Sequence, residues 1–289
     1  MLSTLTSATA VDGGPTDEQR RLLDAIAQHV LELGDDTTTL DPAGAAAALV
    51  DPGERRLVIE ALITLELLRH PASAPLAEQV DTYIAALGGA DEQVLVQDYL
   101  TDAREQVALD WARLREASQE EPGIEGSGET EIAERLGALA ACPPGSAGRS
   151  FHDFYERHGF PLPTDNPSLI SHDFAHVLAG YEATPEGELA LQAMLVAATG
   201  GAAHFSGLLA SLLLFEVGML PFPDIEPKSA VLARPGAAAL FAEAVARGAA
   251  AGCDFQSLDH LALADRDLAE LRTELRIPTP VPGPSTFVH

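Results

Sequence analysis

The chain has 289 residues, 46% of them hydrophobic and 21% charged, and its 17 Lys and Arg face 44 Asp and Glu for a formal net charge of −27. That balance is globular and excludes disorder over the whole chain. It also argues against nucleic acid, whose phosphates need clustered cations, and, with Lys228 as the single lysine, against electrostatic capture by an anionic membrane.

Residues 1–15 lack both a basic n-region and a sustained apolar stretch, so no secretion signal is expected and a cytoplasmic chain is the default. Cys142 and Cys253 lie far apart, outside any short-spaced metal or redox motif. They read as free core thiols in a reducing compartment. Thr16 with Gln19 forms a capping-box pattern before Leu22, Leu23, Ile26, Val30 and Leu33 at helical spacing, closed by Gly34. Asp41-Pro42 and Asp51-Pro52 each set a cap residue before proline at the first helical position. The second opens a helix with Leu57, Val58, Ala61, Leu62, Leu65 and Leu68 on one face, stopped at Pro71. Further helices carry Val80, Tyr83, Ile84 and Leu87 up to Gly88-Gly89, and Val94 to Leu114 over residues 94–115. The helix over 57–68, its proline break and the ending Ala85-Ala86-Leu87-Gly88 resemble the TerB-like tellurite-resistance helical domain. No residue of this half is arranged for chemistry, and His29 and His70 stand isolated.

Residues 118–130 are polar, acidic and glycine-rich, which marks a linker between an amino-terminal domain, 1–117, and a carboxy-terminal one, 131–289. Helices are then predicted over 132–141, 149–158, 236–247 and 268–275. Residues 189–215 carry no Asp, Glu, Lys or Arg, a run longer than the ~20 residues a membrane span needs. Gly200-Gly201 and the scattered Gln192, His204, Ser206 and Ser211 instead divide it into two buried helices. Alternating β-branched runs are missing, so the expected fold class is all-α.

The chemistry concentrates at Ser171-His172-Asp173-Phe174-Ala175-His176. Four residues apart on a helix, His172 and His176 stack on one face, which suits two nitrogens meeting one metal ion. Asp173 can ligate or fix a histidine tautomer. A break near Gly180, then Thr184 as cap and Pro185 at the first helical position, folds the next helix back antiparallel. Glu188 in its first turn is then brought to the histidines as a third ligand, although the helix macrodipole alone also favours Glu186 and Glu188 there.

The pattern His172-Asp173-x-x-His176 followed by Glu188 resembles the signature of the coenzyme Q biosynthesis protein 4 family. Residues 176–181 and 187–191, the turn at 144–148 and the closing helix at 268–278 are similar to that family's segments, over roughly 131–278. The resemblance implies an all-helical metalloprotein of ubiquinone biosynthesis, linked to loss of a ring carboxyl group with hydroxylation at that carbon. It implies His172, Asp173, His176 and Glu188 as metal and catalytic residues, and one divalent ion, zinc or iron. The implied partners are a hydrophobic aromatic or isoprenoid molecule and other biosynthetic enzymes, with at most peripheral contact with the inner face of the membrane. A homodimer is compatible with it.

Several further residues are candidates for substrate contact. Arg149 and Arg157 are among the few cations near the motif and could hold a carboxylate or phosphate, with surface pairing as the alternative. Phe151, Phe154, Tyr155, Phe160, Phe174, Phe205 and Phe215 could line a tunnel or form core. His204 is either a further contact or a buried hydrogen-bonded histidine. Two other functions remain open: an isoprenoid- or lipid-binding scaffold with a structural metal, and an HD-type phosphohydrolase using His152-Asp153 and His172-Asp173 with Asp224.

Overall fold

A computed structural model describes residues 1–29, 38–69, 73–89, 129–162, 167–199, 202–218, 226–251, 253–255 and 257–287. Among them the chain is all-α, with no strand beyond the isolated bridges Ser146–Asp267 and Tyr181–Thr286. In chain order the helices are α1 (Leu2–Ala8), α2 (Asp17–His29), α3 (Pro42–Ala48), α4 (Pro52–Leu67), α5 (Ala74–Leu87), α6 (Glu129–Ala138), α7 (Ala147–His158), α8 (Pro167–Ala179), α9 (Pro185–Thr199), α10 (Ala202–Leu212), α11 (Ala237–Ala250) and α12 (Leu268–Glu274).

The start signals act as their chemistry dictates. The Thr16 amide donates to Gln19 Oε1 at 2.8 Å while the Gln19 amide donates to Thr16 Oγ1 at 3.3 Å, a reciprocal box that occupies two amides left over at a helix start. Asp41 and Asp51 accept from Gly44 N and Glu54 N, with Pro42 and Pro52 at the first helical position. Ser73 caps α5, and Gly88 ends it in the left-handed region at φ +91°. The helix expected at 94–115 and residues 118–128 of the expected linker lie outside the described residues. Glu129 and Thr130 already belong to α6.

The described helices of both halves contribute to one hydrophobic core, from Leu5, Leu22 and Leu62 to Leu191, Leu195 and Phe241. Helix α2 lies against α11, and α9 packs along α11 and α10. The uncharged run therefore divides into α9 and α10, packed as neighbours within the fold. No described helix is long and apolar enough to cross a membrane. Helix α10 continues into a π-turn, Leu213–Val217, whose displaced Leu214 and Glu216 carbonyls accept the amides of Lys228 and Ala230 at 2.9 Å.

Candidate metal centre

Helices α8 and α9 form an antiparallel hairpin that carries the site. Gly180 ends α8 at φ +79°, and a Cβ there would lie 2.9 Å from the Phe287 carbonyl, so both backbone and space require glycine. The carboxy-terminal carbonyls of α8 are held by buried arginines from distant elements. Arg272 donates through Nε to Leu178 O and through Nη2 to Val177 O, each at 2.9 Å, and Arg247 Nη2 donates to Ala179 O at 2.6 Å. Cations at that end also oppose the negative pole of the helix.

On the other arm, Thr184 Oγ1 accepts the Gly187 amide at 3.1 Å. Any Cβ at Gly187 would stand 2.0 Å from the Glu182 carbonyl oxygen. The first turn of α9 is thereby drawn onto the connection, which delivers Glu188 to both histidines. His172 Nε2 lies 3.4 Å from Glu188 Oε2, and His176 Nε2 lies 3.0 Å from Glu188 Oε1.

The other ring nitrogens are spoken for. His176 Nδ1 stands 3.0 Å from the Tyr181 carbonyl, which can only accept, so Nδ1 carries the proton and Nε2 of the neutral ring is a lone pair. His172 Nδ1 meets Asp173 Oδ1 at 3.1 Å, with the same consequence for its Nε2. The Tyr155 hydroxyl donates to Asp173 Oδ2, so both oxygens of Asp173 are engaged. Two imidazole lone pairs therefore face the oxygens of one carboxylate, an arrangement that needs a proton or a cation between them. The buried His176 Nε2 approaches Glu188 without the geometry of a hydrogen bond and has no other partner.

His172, Asp173 and His176 bring one donor atom each to within 4.8 Å of one another, a group able to hold a metal ion. Glu188, 3.4 Å and 3.0 Å from the two histidine Nε2 atoms, stands as a second carboxylate beside Asp173, whose oxygens also meet Tyr155 and His172. His176 is sealed, with its side chain 1% exposed, whereas His172 and Glu188 keep 22% each, so one face of the site is open to an incoming molecule. His176 stacks on Phe154, with ring centroids 5.6 Å apart.

The protein's own charges set the protonation. Burial opposes an imidazolium at His172, but Glu188 and Asp173 outweigh it and push its pKa up to about 10. Burial likewise opposes the Glu188 carboxylate, yet the two histidines hold its pKa well below the ordinary range. Burial, reinforced by Asp173, raises the Tyr155 phenol far above its usual value, so it remains a hydrogen-bond donor.

The remaining candidates are placed elsewhere. Arg149 Nε pairs with Asp153 at 2.8 Å, and Arg157 Nη2 pairs with Glu182 at 3.2 Å, each arginine side chain being 39% exposed. His204 Nε2 pairs with Asp254 at 3.2 Å. Tyr155 orients Asp173 and offers no free hydroxyl to a substrate. Phe151, Phe154, Phe174 and Phe215 are buried core, with Phe151 stacked on Phe174 at 4.1 Å, while Phe160 is exposed. The side chain of Phe205, and Asp224 of the phosphohydrolase alternative, lie outside the described residues. His152 faces Asp153 at 3.4 Å, and Asp153 is held by Arg149. The Tyr181 carbonyl, Arg247 and Arg272 were not evident in the sequence, since their partners lie on other elements and no local spacing marks them.

No family model matches the chain, and no curated protein matches it.

Proposed function

We propose that this chain is a metal-dependent enzyme of the kind its motif resembles, acting on an aromatic substrate that bears a carboxyl group. The observation supporting this is the convergence of His172 Nε2 and His176 Nε2 on the two oxygens of Glu188, with both Nδ1 atoms already engaged. His172, His176 and Glu188 would hold one divalent ion, zinc or iron, with Asp173 fixing the orientation of His172. Such an ion supplies Lewis-acid polarisation of a bound oxygen, and iron adds redox chemistry with molecular oxygen.

The chain's own residues do the positioning. Tyr155 and Asp173 keep the His172 lone pair turned inward, and the Tyr181 carbonyl does the same for His176. The partly exposed edge of His172 and Glu188 admits the substrate's polar end. Exposed Phe160, packed edge-on to Phe154 and Tyr155, extends the aromatic layer behind the histidines to the surface, where a ring can pack. Loss of the carboxyl group as carbon dioxide leaves an electron pair on the ring carbon, which a proton takes up. In the oxidative version that carbon gains a hydroxyl from one atom of molecular oxygen, and the other atom leaves as water with two electrons from an external two-electron reductant and protons from solvent.

Elemental analysis of tag-free protein beside His172→Ala, His176→Ala tests the reading. About one zinc or iron per chain in the parent and none in the variant is the expected result, followed by release of carbon dioxide from a prenylated 4-hydroxybenzoate under oxygen. Absence of metal from both proteins after reconstitution would overturn it. Metal without turnover of any ring carboxylate would remove the enzymatic half and leave a structural ion.

A further inference from the structure

The connection between α8 and α9 is gripped from outside by a distant piece of the chain. The Phe287 amide donates to the Gly180 carbonyl at 2.9 Å, and the Glu182 amide donates to the Ser285 carbonyl at 3.0 Å. Tyr181 and Thr286 pair between these bonds as an isolated antiparallel bridge. On its inner side the same connection meets His176. The His176 carbonyl accepts the Tyr181 amide at 3.2 Å, and His176 Nδ1 donates to the Tyr181 carbonyl at 3.0 Å.

Inner and outer contacts share one rigid group. The Tyr181 carbonyl and the Glu182 amide belong to a single planar trans peptide unit, so its C=O and N–H point in opposite directions. Holding the N–H on Ser285 therefore holds the direction of the C=O that His176 uses. The bonds run in series, from His176 Nδ1–H to Tyr181 C=O and from Glu182 N–H to Ser285 C=O, and bonds in such a chain polarise one another.

Residues 281–287 are themselves anchored. The Val281 amide donates to Glu243 Oε1 of α11 at 2.8 Å. Thr286 Oγ1 closes the turn, accepting the Gly283 amide at 2.7 Å and donating to the Val281 carbonyl at 3.0 Å. Phe287 is buried, with its ring centroid 6.1 Å from that of Phe154 and the Arg157 guanidinium 4.7 Å above it. Phe154 is the ring on which His176 stacks. Phe287 thus supports the histidine twice, by its amide on Gly180 and by its ring behind Phe154.

We infer that residues 281–287 form a strap that positions His176, with Thr286 and Phe287 as positioning residues that do not touch the ion. The inference rests on the metal reading, because an oriented ring is repaid in ligand affinity. With the strap loosened, the Tyr181 peptide can turn, and His176 loses the acceptor that keeps its Nε2 on Glu188.

The test uses the full chain carrying Phe287→Ala or Thr286→Val, with two readouts. One is the exchange rate of the His176 Nδ1 proton in metal-free protein, followed by nuclear magnetic resonance with 15N-labelled histidine and assigned by its loss in His176→Ala. The other is zinc affinity by chelator competition. Phe287→Ala is expected to speed exchange and weaken zinc by about tenfold each, with the helical circular dichroism signal kept. Phe287→Leu, which restores bulk, should return both towards the parent. Thr286→Val removes only the hydroxyl that closes the turn, moves both readouts the same way, and serves where alanine at 287 prevents folding. A parent that binds no zinc would remove the metal reading, and proton exchange alone then decides whether the strap holds the histidine. Unchanged exchange in both variants, or faster exchange with zinc affinity unmoved in a zinc-binding parent, would overturn the strap.

Discussion

The amino-terminal helices α1 to α5 and the carboxy-terminal helices α6 to α12 both combine local caps with long-range polar contacts, and they aim the long-range contacts at different targets. In the first group Thr16 with Gln19, Asp41, Asp51 and Ser73 each satisfy amides three residues away, and the long-range contacts tie helices to connections: Gln19 Nε2 donates to the Leu65 carbonyl, Arg69 to the carbonyls of Asp12 and Gly14, and Ser73 Oγ to Asp12 Oδ2. In the second, the long-range contacts converge on α8, the helix of the candidate metal site. Arg272 reaches carbonyls 94 and 95 residues earlier, Arg247 reaches one 68 residues earlier, and Tyr155 meets Asp173 across 18. Local caps build helices that any neighbour can pack against, whereas long-range buried polar contacts fix one arrangement and are costly to leave half made. The group able to hold a metal ion sits where those long-range contacts converge.

That contrast predicts unequal sensitivity to substitution. Arg272→Met removes the donors to two buried carbonyls, and the stability loss, measured by urea denaturation, is expected at about 3 kcal/mol with metal affinity falling alongside. A loss under about 0.5 kcal/mol would mean that α8 needs no such support. Gly187→Ala places a methyl group against the Glu182 carbonyl. It should cost about 2 kcal/mol and weaken metal binding by shifting the first turn of α9, as chelator competition would reveal. Unaltered metal affinity there would detach Glu188 from the site.

Tyr155→Phe removes one hydrogen bond to Asp173 and is expected to lower metal affinity about tenfold or more, with the helical circular dichroism signal intact. The pH dependence of metal binding probes the same charges. His172 is raised in the folded chain, so its pairing with Glu188 stabilises the metal-free protein fully below the ordinary value of 6.5 and is lost as pH rises through about 10. Glu188 is lowered, so its contribution is present above 4.5 and lost only in strong acid. A metal ion must displace the histidine proton, hence affinity should climb with pH up to about 10, with proton release seen by calorimetry in buffers of different ionisation enthalpy. Affinity flat over pH 6 to 8 would mean that His172 is not protonated in the metal-free site. Smallest of all, Asp51→Ala should cost about 1 kcal/mol in thermal unfolding and leave metal content unaltered.

Helix positions were largely legible in the residues themselves. The cap pairs, proline starts and glycine stops act within one turn, so their spacing along the chain is their spacing in space. The prediction of helix over 149–158 meets α7 at Ala147–His158, and that over 268–275 meets α12 at Leu268–Glu274. The proximity of these side chains was legible for the same reason: His172 and His176 share a face by helical periodicity, and a short connection returns Glu188 to within 3.4 Å and 3.0 Å of them.

What the residues could not declare was which polar groups would be claimed by others. Arg149, Arg157 and His204 had the chemistry to meet a substrate, and only the packing of α7, of the connection after α8 and of the loop at Asp254 assigned them to Asp153, Glu182 and Asp254. Asp173 could ligate as well as orient, and only the packing of α7 against α8 brought the Tyr155 hydroxyl to its second oxygen. The bonds of residues 285–287 to the connection after α8 likewise depend on how distant segments come together. Local periodicity decides what a helix presents, because the backbone repeat is intrinsic to the chain. Long-range pairing decides what remains available for function, because a buried polar group takes whichever partner the fold brings within reach.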